Sequence, residues 1–265
     1  MIPSWRLLSQ VFTVETIMTG RDQFLTWDGN APLATLWEEA TQIQVDTIPI
    51  EHQGQIVSVL RRGQDTPVPL TPEWLVSRDT AIPDVVQLFA EKRSPCLFVF
   101  FRQEVIGIVT PADLNKLPAR TYFYNLLAEL EMTIAEIVRR QYGTKQDNIL
   151  NLLGKQDELD EIKQKMAESD LSIDIVHWLD LSDLVNLACK NDILRKSLGF
   201  PSAKQVGKKM NGLVDMRHDI MHPVRLILDD YTGIERLNER IQRTLTILNR
   251  LTTSRNGTTV EVVEK

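Results

Sequence analysis

At 265 residues, with 43% hydrophobic and 25% charged side chains and a net charge of −6, the chain has the make-up of a globular protein long enough for one large domain or two ordinary ones. The acidic balance excludes a surface that coats nucleic acid or a membrane along its whole extent, so any anionic partner has to be met by a local basic patch. No apolar run approaches the roughly 18 to 20 residues of a bilayer span, the opening "MIPSWRLLSQ" lacks the order of a leader, and the two cysteines, Cys96 and Cys189, make neither a disulfide framework nor a thiolate metal site; a soluble cytoplasmic chain with no membrane partner is expected.

In chain order, the first 118 residues alternate short apolar runs with turn residues. "PLATLWEEATQIQVDTIPI" (32–50) predicts a helix and then a short strand, and "GQIVSVLRRG" (54–63) a second strand after a Gly-bearing turn. The plan then repeats. "AIPDVVQLFAEKRS" (81–94) sets Ile82, Val85, Val86 and Phe89 at helical spacing, "PCLFVFF" (95–101) reads as a buried strand, and "EVIGIVTPADLNKL" (104–117) as a strand turning into a helix. A β-α-β-β-α repeat of roughly 55 to 60 residues is the inference, and repeats of that size pack against each other.

From Arg120 onward helices dominate. "TYFYNLLAELEMTIAEIVRRQY" (121–142) aligns Phe123, Leu126, Leu127, Leu130, Ile134, Ile137 and Val138 on one face. "KQDELDEIKQKMAE" (155–168) reads as an exposed helix with complementary charges, "LSDLVNLACKN" (181–191) as another helix, and a further one runs from about Ala203 through "MRHDIMHPVR" (216–225). The last long helix, "GIERLNERIQRTLTILNRLT" (233–252), lines up Ile234, Leu237, Ile241, Leu245 and Leu248. "TSRNGTTVEVVEK" (253–265) reads as a mobile tail.

The two halves of 1–118 resemble a tandem pair of CBS (cystathionine β-synthase) domains, and "GIVTPADL" (107–114) is the most specific piece. The resemblance implies a cleft for an adenosine-type nucleotide built by Gly107, Thr110 and Asp113, with Thr110 on phosphate or ribose oxygens and Asp113 accepting from ribose hydroxyls. Read without it, Thr110 and Asp113 are equally an N-cap and an early-turn acid that need no ligand. The first half has Arg61 and Gln64 at the matching positions of "SVLRRGQD", so at most one ordinary site is expected; Arg61 and Arg62 are candidates for a phosphate clamp.

Within 119–252, Arg217 and His222 are separated by "HDIM" and followed by Pro223, which resembles the signature of the HEPN family of helical domains. Members of that family often cleave RNA without a metal and pair to build a shared cleft. The resemblance implies that His222 serves as general base or acid and Arg217 stabilises the charged phosphorane, with His218 beside them and Lys204, Lys208, Lys209 and Arg225 as RNA-phosphate contacts. The chemistry is apt on its own terms, because imidazole exchanges a proton near neutral pH and guanidinium matches phosphate oxygens. Residues five apart lie about 140° apart on a helix, so two facing copies would be needed to aim both groups at one point. His218 and His222, four apart, also have the spacing of a metal-binding helix, but no third ligand is evident and no metal is expected. A bland alternative is that Arg217, Asp219 and the histidines satisfy one another at a packing seam.

The expected fold is therefore α+β: a tandem CBS pair (1–118), an all-α HEPN-like bundle (119–252) and a tail (253–265). The expected function is an adenine-nucleotide-regulated, metal-independent endoribonuclease acting on RNA as a homodimer, with no cofactor required for catalysis. The alternative is a non-catalytic nucleotide sensor whose helical domain dimerises or recruits a partner.

Overall fold

In the computed structural model, residues 4–43, 45–143, 145, 147–158, 161, 164–165, 167–168, 174–229 and 231–257 are described. They divide into an α/β unit, Arg6–Tyr122 with Leu228–Asn238, and a helical unit formed by Trp5, Phe123–Ile227 and the described residues from Glu239 on. The break in composition near residue 118 is a local change of texture. The chain from Leu228 to Asn238 returns to the α/β unit, where Asn115 clasps Leu228 in both directions, donating from Nδ2 to its carbonyl (3.0 Å) and accepting its N–H at Oδ1 (3.1 Å).

The α/β unit holds two sheets. One has the order β1 (Thr19–Gly20), β7 (Glu104–Val109), β6 (Leu97–Phe101), β5 (Leu75–Ser77); the other has β2 (Thr47–His52), β3 (Gln55–Arg61), β4 (Val68–Pro69). Helix α1 (Ser4–Val11) begins the described chain, and α2 (Leu33–Gln42) and α3 (Ile82–Lys92) precede the β2–β3 and β6–β7 hairpins. In α3 the apolar spacing works as the sequence predicts: Ile82, Val85, Val86 and Phe89 are buried, and Arg93 closes the helix in the left-handed region (φ 49°).

The pairings define the repeat better than the text does. β1 pairs Thr19 with Ile108 on the edge of β7, and β4 pairs Val68 with Val59 on the edge of β3, so 19 answers to 68 and 59 to 108, an offset of 49 residues each time. The parallel bridge of Trp27 to Ile50 answers to the pairing of Val76 with Val99 at the same offset. The period is thus 49 residues, shorter than the 55 to 60 expected, because register is set by strand partners and not by the loosely bounded apolar runs. The stretch after β7 also differs from expectation: it forms a 3-10 turn, Pro111–Asn115, before the next helix.

From Phe123 on, α4 (Leu117–Tyr142) belongs to the helical unit and contributes Phe123, Leu126, Leu127, Leu130, Ile134 and Val138 to its core, with Ile137 only half-buried. It is followed by α5 (Asp147–Leu153), α6 (Leu181–Lys190), α7 (Asp192–Ser197), α8 (Ala203–Met221) and α9 (Tyr231–Gly257). Side chains of Asp180, Asn191 and Ser202 accept the N–H groups of Asp183, Leu194 and Gln205, capping α6, α7 and α8; each such cap contributes about 1 kcal/mol. On α9 the buried stripe runs through Ile241, Thr244, Leu248 and Leu251, with Leu245 half-buried. Thr244 fits inside because its hydroxyl donates to the Arg240 carbonyl (2.9 Å). Of 155–168, a 3-10 turn occupies Gln156–Glu158, and Glu161, Gln164, Lys165 and Ala167 are helical and exposed, with Lys165 paired to Glu161 (2.5 Å); 159–160, 162–163 and 166 lie outside the described residues, as do 258–265, while 253–257 continue α9. No helix among the described residues is long and apolar enough to cross a membrane.

Candidate functional site

Each unit carries a cleft. In the α/β unit a cavity of about 620 Å³ opens where the corner after β7 faces the first half of the repeat: Ile108, Thr110, Pro111, Ala112 and Asp113 line one side, Phe24, Leu25, Ile43, Val45 and Pro49 the other, and Pro95, Cys96, Leu228 and Asp229 complete it. Both volume and the mostly apolar wall with a few polar groups are those of a small-molecule site. Burial pushes the Cys96 thiol up to about 12, the nearby Arg61 charge pulling weakly the other way, so this wall residue is a small hydrophobe and not a nucleophile.

Thr110 is extended (φ −121°, ψ 165°) and begins the 3-10 turn. Its N–H and its hydroxyl both donate to Asp113 Oδ2, at 2.6 and 2.8 Å, and Lys116 Nζ reaches Asp113 Oδ1 at 2.7 Å while also donating to the Ile17 carbonyl. A carboxylate has about four acceptor positions. Three are filled, so Asp113 retains capacity for one further hydroxyl on Oδ1. The corner is a self-satisfied cap that also lines a cavity. Gly107 does not line the cleft. A Cβ there would lie 2.8 Å from the Thr19 carbonyl oxygen and 2.6 Å from Met18 Sδ, so glycine is required by the close approach of β1.

By the 49-residue offset, Arg61 occupies the place of Thr110 and Trp74 that of Leu25. Arg61 lays its guanidinium over the Trp74 ring at 4.7 Å, and Arg62 bonds to Thr41 and the Val45 carbonyl and stacks on Trp37. The stacked pair takes up the position that the open cleft leaves free in the other half.

The helical unit has a cleft of about 560 Å³ lined by α4 residues Tyr124, Ala128, Glu131, Met132, Ala135 and Arg139, by Val176, His177 and Leu179, and by Arg217 of α8. Arg217 grips Glu131 from the side (Nε to Oε2, 2.9 Å). Burial raises the Glu131 carboxyl above its ordinary range; the Arg217 charge pulls it back down and Asp180 adds to the rise.

His222 is not on this cleft. The residue before a proline is driven out of the helical region, so Pro223 ends α8 at Met221 and leaves His222 as an exposed extended residue (φ −103°, ψ 94°), its ring edge-on to that of His218 at 4.4 Å. Arg217 and His222 thus face different surroundings. Lys204, Lys208 and Lys209 are exposed on the first turns of α8, and Lys204 lies roughly 20 Å along the axis from Arg217 at 1.5 Å per residue, so sequence proximity does not gather them at the Arg217–His222 end. Arg225 pairs with Asp219 (3.7 Å). No group of three or more metal-ligating side chains assembles among the described residues.

Sequence reasoning passed over two cleft residues, Arg139 and His177. Arg139 is held by Asp174 (2.7 Å) and Glu136 (2.9 Å) and lies 3.4 Å from His177 Nε2, while the His177 ring accepts the Asp174 N–H. The only local signal is the Asp174-x-x-His177 cap; the remainder is tertiary.

No family model matches the chain, and no curated protein does. Solved structures that are similar include CBSX2 in complex with AMP (18% identity, 39% of this chain and 92% of that one, TM-score 0.34) and the CBS domain of a bacterial CNNM/CorC family Mg2+ transporter in complex with ATP (16%, 42% and 89%, 0.35). A CBS-domain pair with bound AMP from Klebsiella pneumoniae is also similar (18%, 39% and 94%, 0.31). Over about two fifths of its length, this chain is similar to CBS domain pairs.

Proposed function

We propose that the α/β unit is a CBS-type sensor that takes one adenosine-type ligand per chain, and that the helical unit is its output. The observation that carries this reading is the open cleft at Thr110 and Asp113, set against the Arg61–Trp74 stack at the equivalent place in the other half. Calorimetric titration of the full chain with adenosine and AMP tests it. One site per chain is expected, weakened at least tenfold in Asp113→Asn, whose folding is checked by circular dichroism. Two sites, or undiminished binding by that variant, would refute the assignment.

For the output, the R-x4-H signature supports a HEPN-like, metal-independent ribonuclease working as a homodimer on RNA, with Arg217, His222 and His218 in the cleft between copies. The exposed His218–His222 pair at the end of α8 favours it, since a partner's groups have access to those rings. The other output is a non-catalytic one, in which the helical unit recruits a partner. Cleavage of mixed RNA in excess chelator, native protein against His222→Ala and His177→Ala, separates them. Loss in His222→Ala alone supports the two-copy nuclease; loss in His177→Ala alone moves the chemistry to the α4 cleft; no cleavage leaves the recruiting role. Either output responds to ligand only as far as the ligand binds one state better than another.

A further inference from the structure

Extending the RNA-directed reading of the helical unit, we infer that the flank where α8 runs beside α9 is a non-catalytic holding surface for the sugar–phosphate backbone of a single-stranded nucleic acid. Lys204 and Lys208, four apart on α8, share a row whose next place is Gly212. No side chain stands there, and Arg240 of α9 fills the space, its Nε 3.3 Å from where a Cβ would be. Arg243 donates from Nη1 to the Lys209 carbonyl (2.9 Å), and Arg250 lies against Gly199 with Nη2 3.5 Å from the Lys196 carbonyl. Cations from α7, α8 and α9 are thus brought to one flank, which extends about 15 Å from Arg240 to Arg250 at 1.5 Å per residue.

The charges on this flank are open. Among the described residues, Lys196, Lys204, Lys208, Lys209 and Arg240 have no carboxylate within salt-bridge distance, and the four lysines are exposed. Asp192 is taken by Arg195 and Glu239 by Arg243, and Asp215 closes the far end of the lysine row. In a chain with a net charge of −6, this is a local positive field. The chemistry between the charges identifies the partner. Among the described residues, no large hydrophobic side chain of α8 before Met221, nor of α9 from Glu239 on, is exposed. A protein partner needs an apolar centre to its interface and a membrane needs side chains to insert, and this flank supplies neither. It supplies ammonium and guanidinium groups with the exposed amides of Gln205 and Asn211 among them, the donors that phosphate and sugar oxygens take. Neither stretch contains a Phe, Tyr or Trp on which a base could stack, so the hold is on the backbone and indifferent to sequence. Met221 lies about 18 Å along α8 from Lys209, which separates this hold from the His218–His222 end.

The experiment is fluorescence anisotropy of labelled single-stranded oligouridine and oligoadenosine on the full chain carrying His222→Ala, so that cleavage does not intervene. Both RNAs are expected to bind alike, with affinity falling against salt at a slope of about −3 on logarithmic axes, that of about four neutralised phosphates. Adding Lys204→Gln/Lys208→Gln/Lys209→Gln should weaken binding about tenfold or more at low salt and flatten the slope to about −1. The comparison variant Lys92→Gln/Arg93→Gln/Arg102→Gln removes the same charge from exposed positions of the α/β unit and should bind as the parent does; circular dichroism checks both folds. Equal weakening by the two triple variants, a slope unchanged by the lysine variant, or poly-L-glutamate or phosphatidylserine vesicles held as tightly as RNA would overturn the inference. Cleavage by the native chain is scored separately. Its absence beside the expected binding removes the nuclease reading alone, and its presence beside undiminished binding by the lysine variant removes this inference alone.

Discussion

Replacing Arg217 by alanine probes the link between the helical cleft and the fold. The Arg217 and Glu131 side chains are 35% and 20% exposed, so their pair lies between a surface ion pair, worth under about 1 kcal/mol, and a buried one, whose breaking costs about 3 to 5. Discounted for that exposure, the loss at pH 7 should be about 2 kcal/mol. Its pH dependence is the sharper part. Burial already raises the Glu131 carboxyl in the folded state, so this group's contribution to stability is fully present below the ordinary carboxylate range and is lost as pH rises through the raised value. Removing Arg217 takes away the charge that pulls Glu131 back and raises it further. The variant should therefore lose most at pH 7 and, once Glu131 is protonated near pH 4, only the roughly 0.5 to 1 kcal/mol of lost stem packing. Urea unfolding followed by far-ultraviolet circular dichroism at both pH values measures this. An equal loss at pH 4 and pH 7 would refute the reasoning. The exposed His222→Ala should lose less than about 0.5 kcal/mol at either pH. Any cleavage lost in Arg217→Ala thus has to be scaled to the folded fraction before a chemical role is given to the guanidinium.

Gly107→Ala should destabilise the α/β unit by about 1 to 3 kcal/mol, because the added methyl meets the backbone of β1; a thermal melt indistinguishable from the native one would rule out the close approach. Asp113→Ala strips the acceptor from Thr110 and the partner from Lys116, and urea unfolding should report a loss of about 1 to 2 kcal/mol even without ligand. In a Cys189→Ser background, Cys96 should resist alkylation at pH 8 in the folded protein and react fast in urea; comparable rates would contradict its burial.

Much of the scaffold was legible in the sequence, because period and burial coincide where an element is long. The α3 stripe from Ile82 to Phe89 and the β6 run from Leu97 to Val99 are examples. The end of α8 was misplaced: the sequence reading carried the helix through residue 225, whereas Pro223 drives His222 out of the helical region and ends it at Met221. β1 was not legible: two residues, Thr19 and Gly20, are too few for alternation to show, and their role comes from a partner strand far along the chain. The corner at Thr110 and Asp113 could be read from its cap pattern, whereas the opposing wall, from Phe24 to Pro49, could not, since apolar residues there look like any core. The same holds for Arg217, whose partner Glu131 lies 86 residues away, and for the return of Leu228 to Asn115. Ion pairs and clasps of this range leave no periodic trace.

The edge pairing of β1 also fixes an order of events during synthesis. Thr19 leaves the ribosome early, yet its strand partner, Ile108, is the next-to-last residue of β7, so the first half of the repeat cannot hand over its opening strand until the second half has been made. Closing so long a loop is slow relative to forming local hairpins, and the β2–β3 hairpin should form and wait. A nascent chain that has emerged only to about residue 63 would hold that hairpin with Trp27 bridging β2 but with the β3 edge, which β4 later takes, unpaired, a state open to chaperones and to other copies of itself.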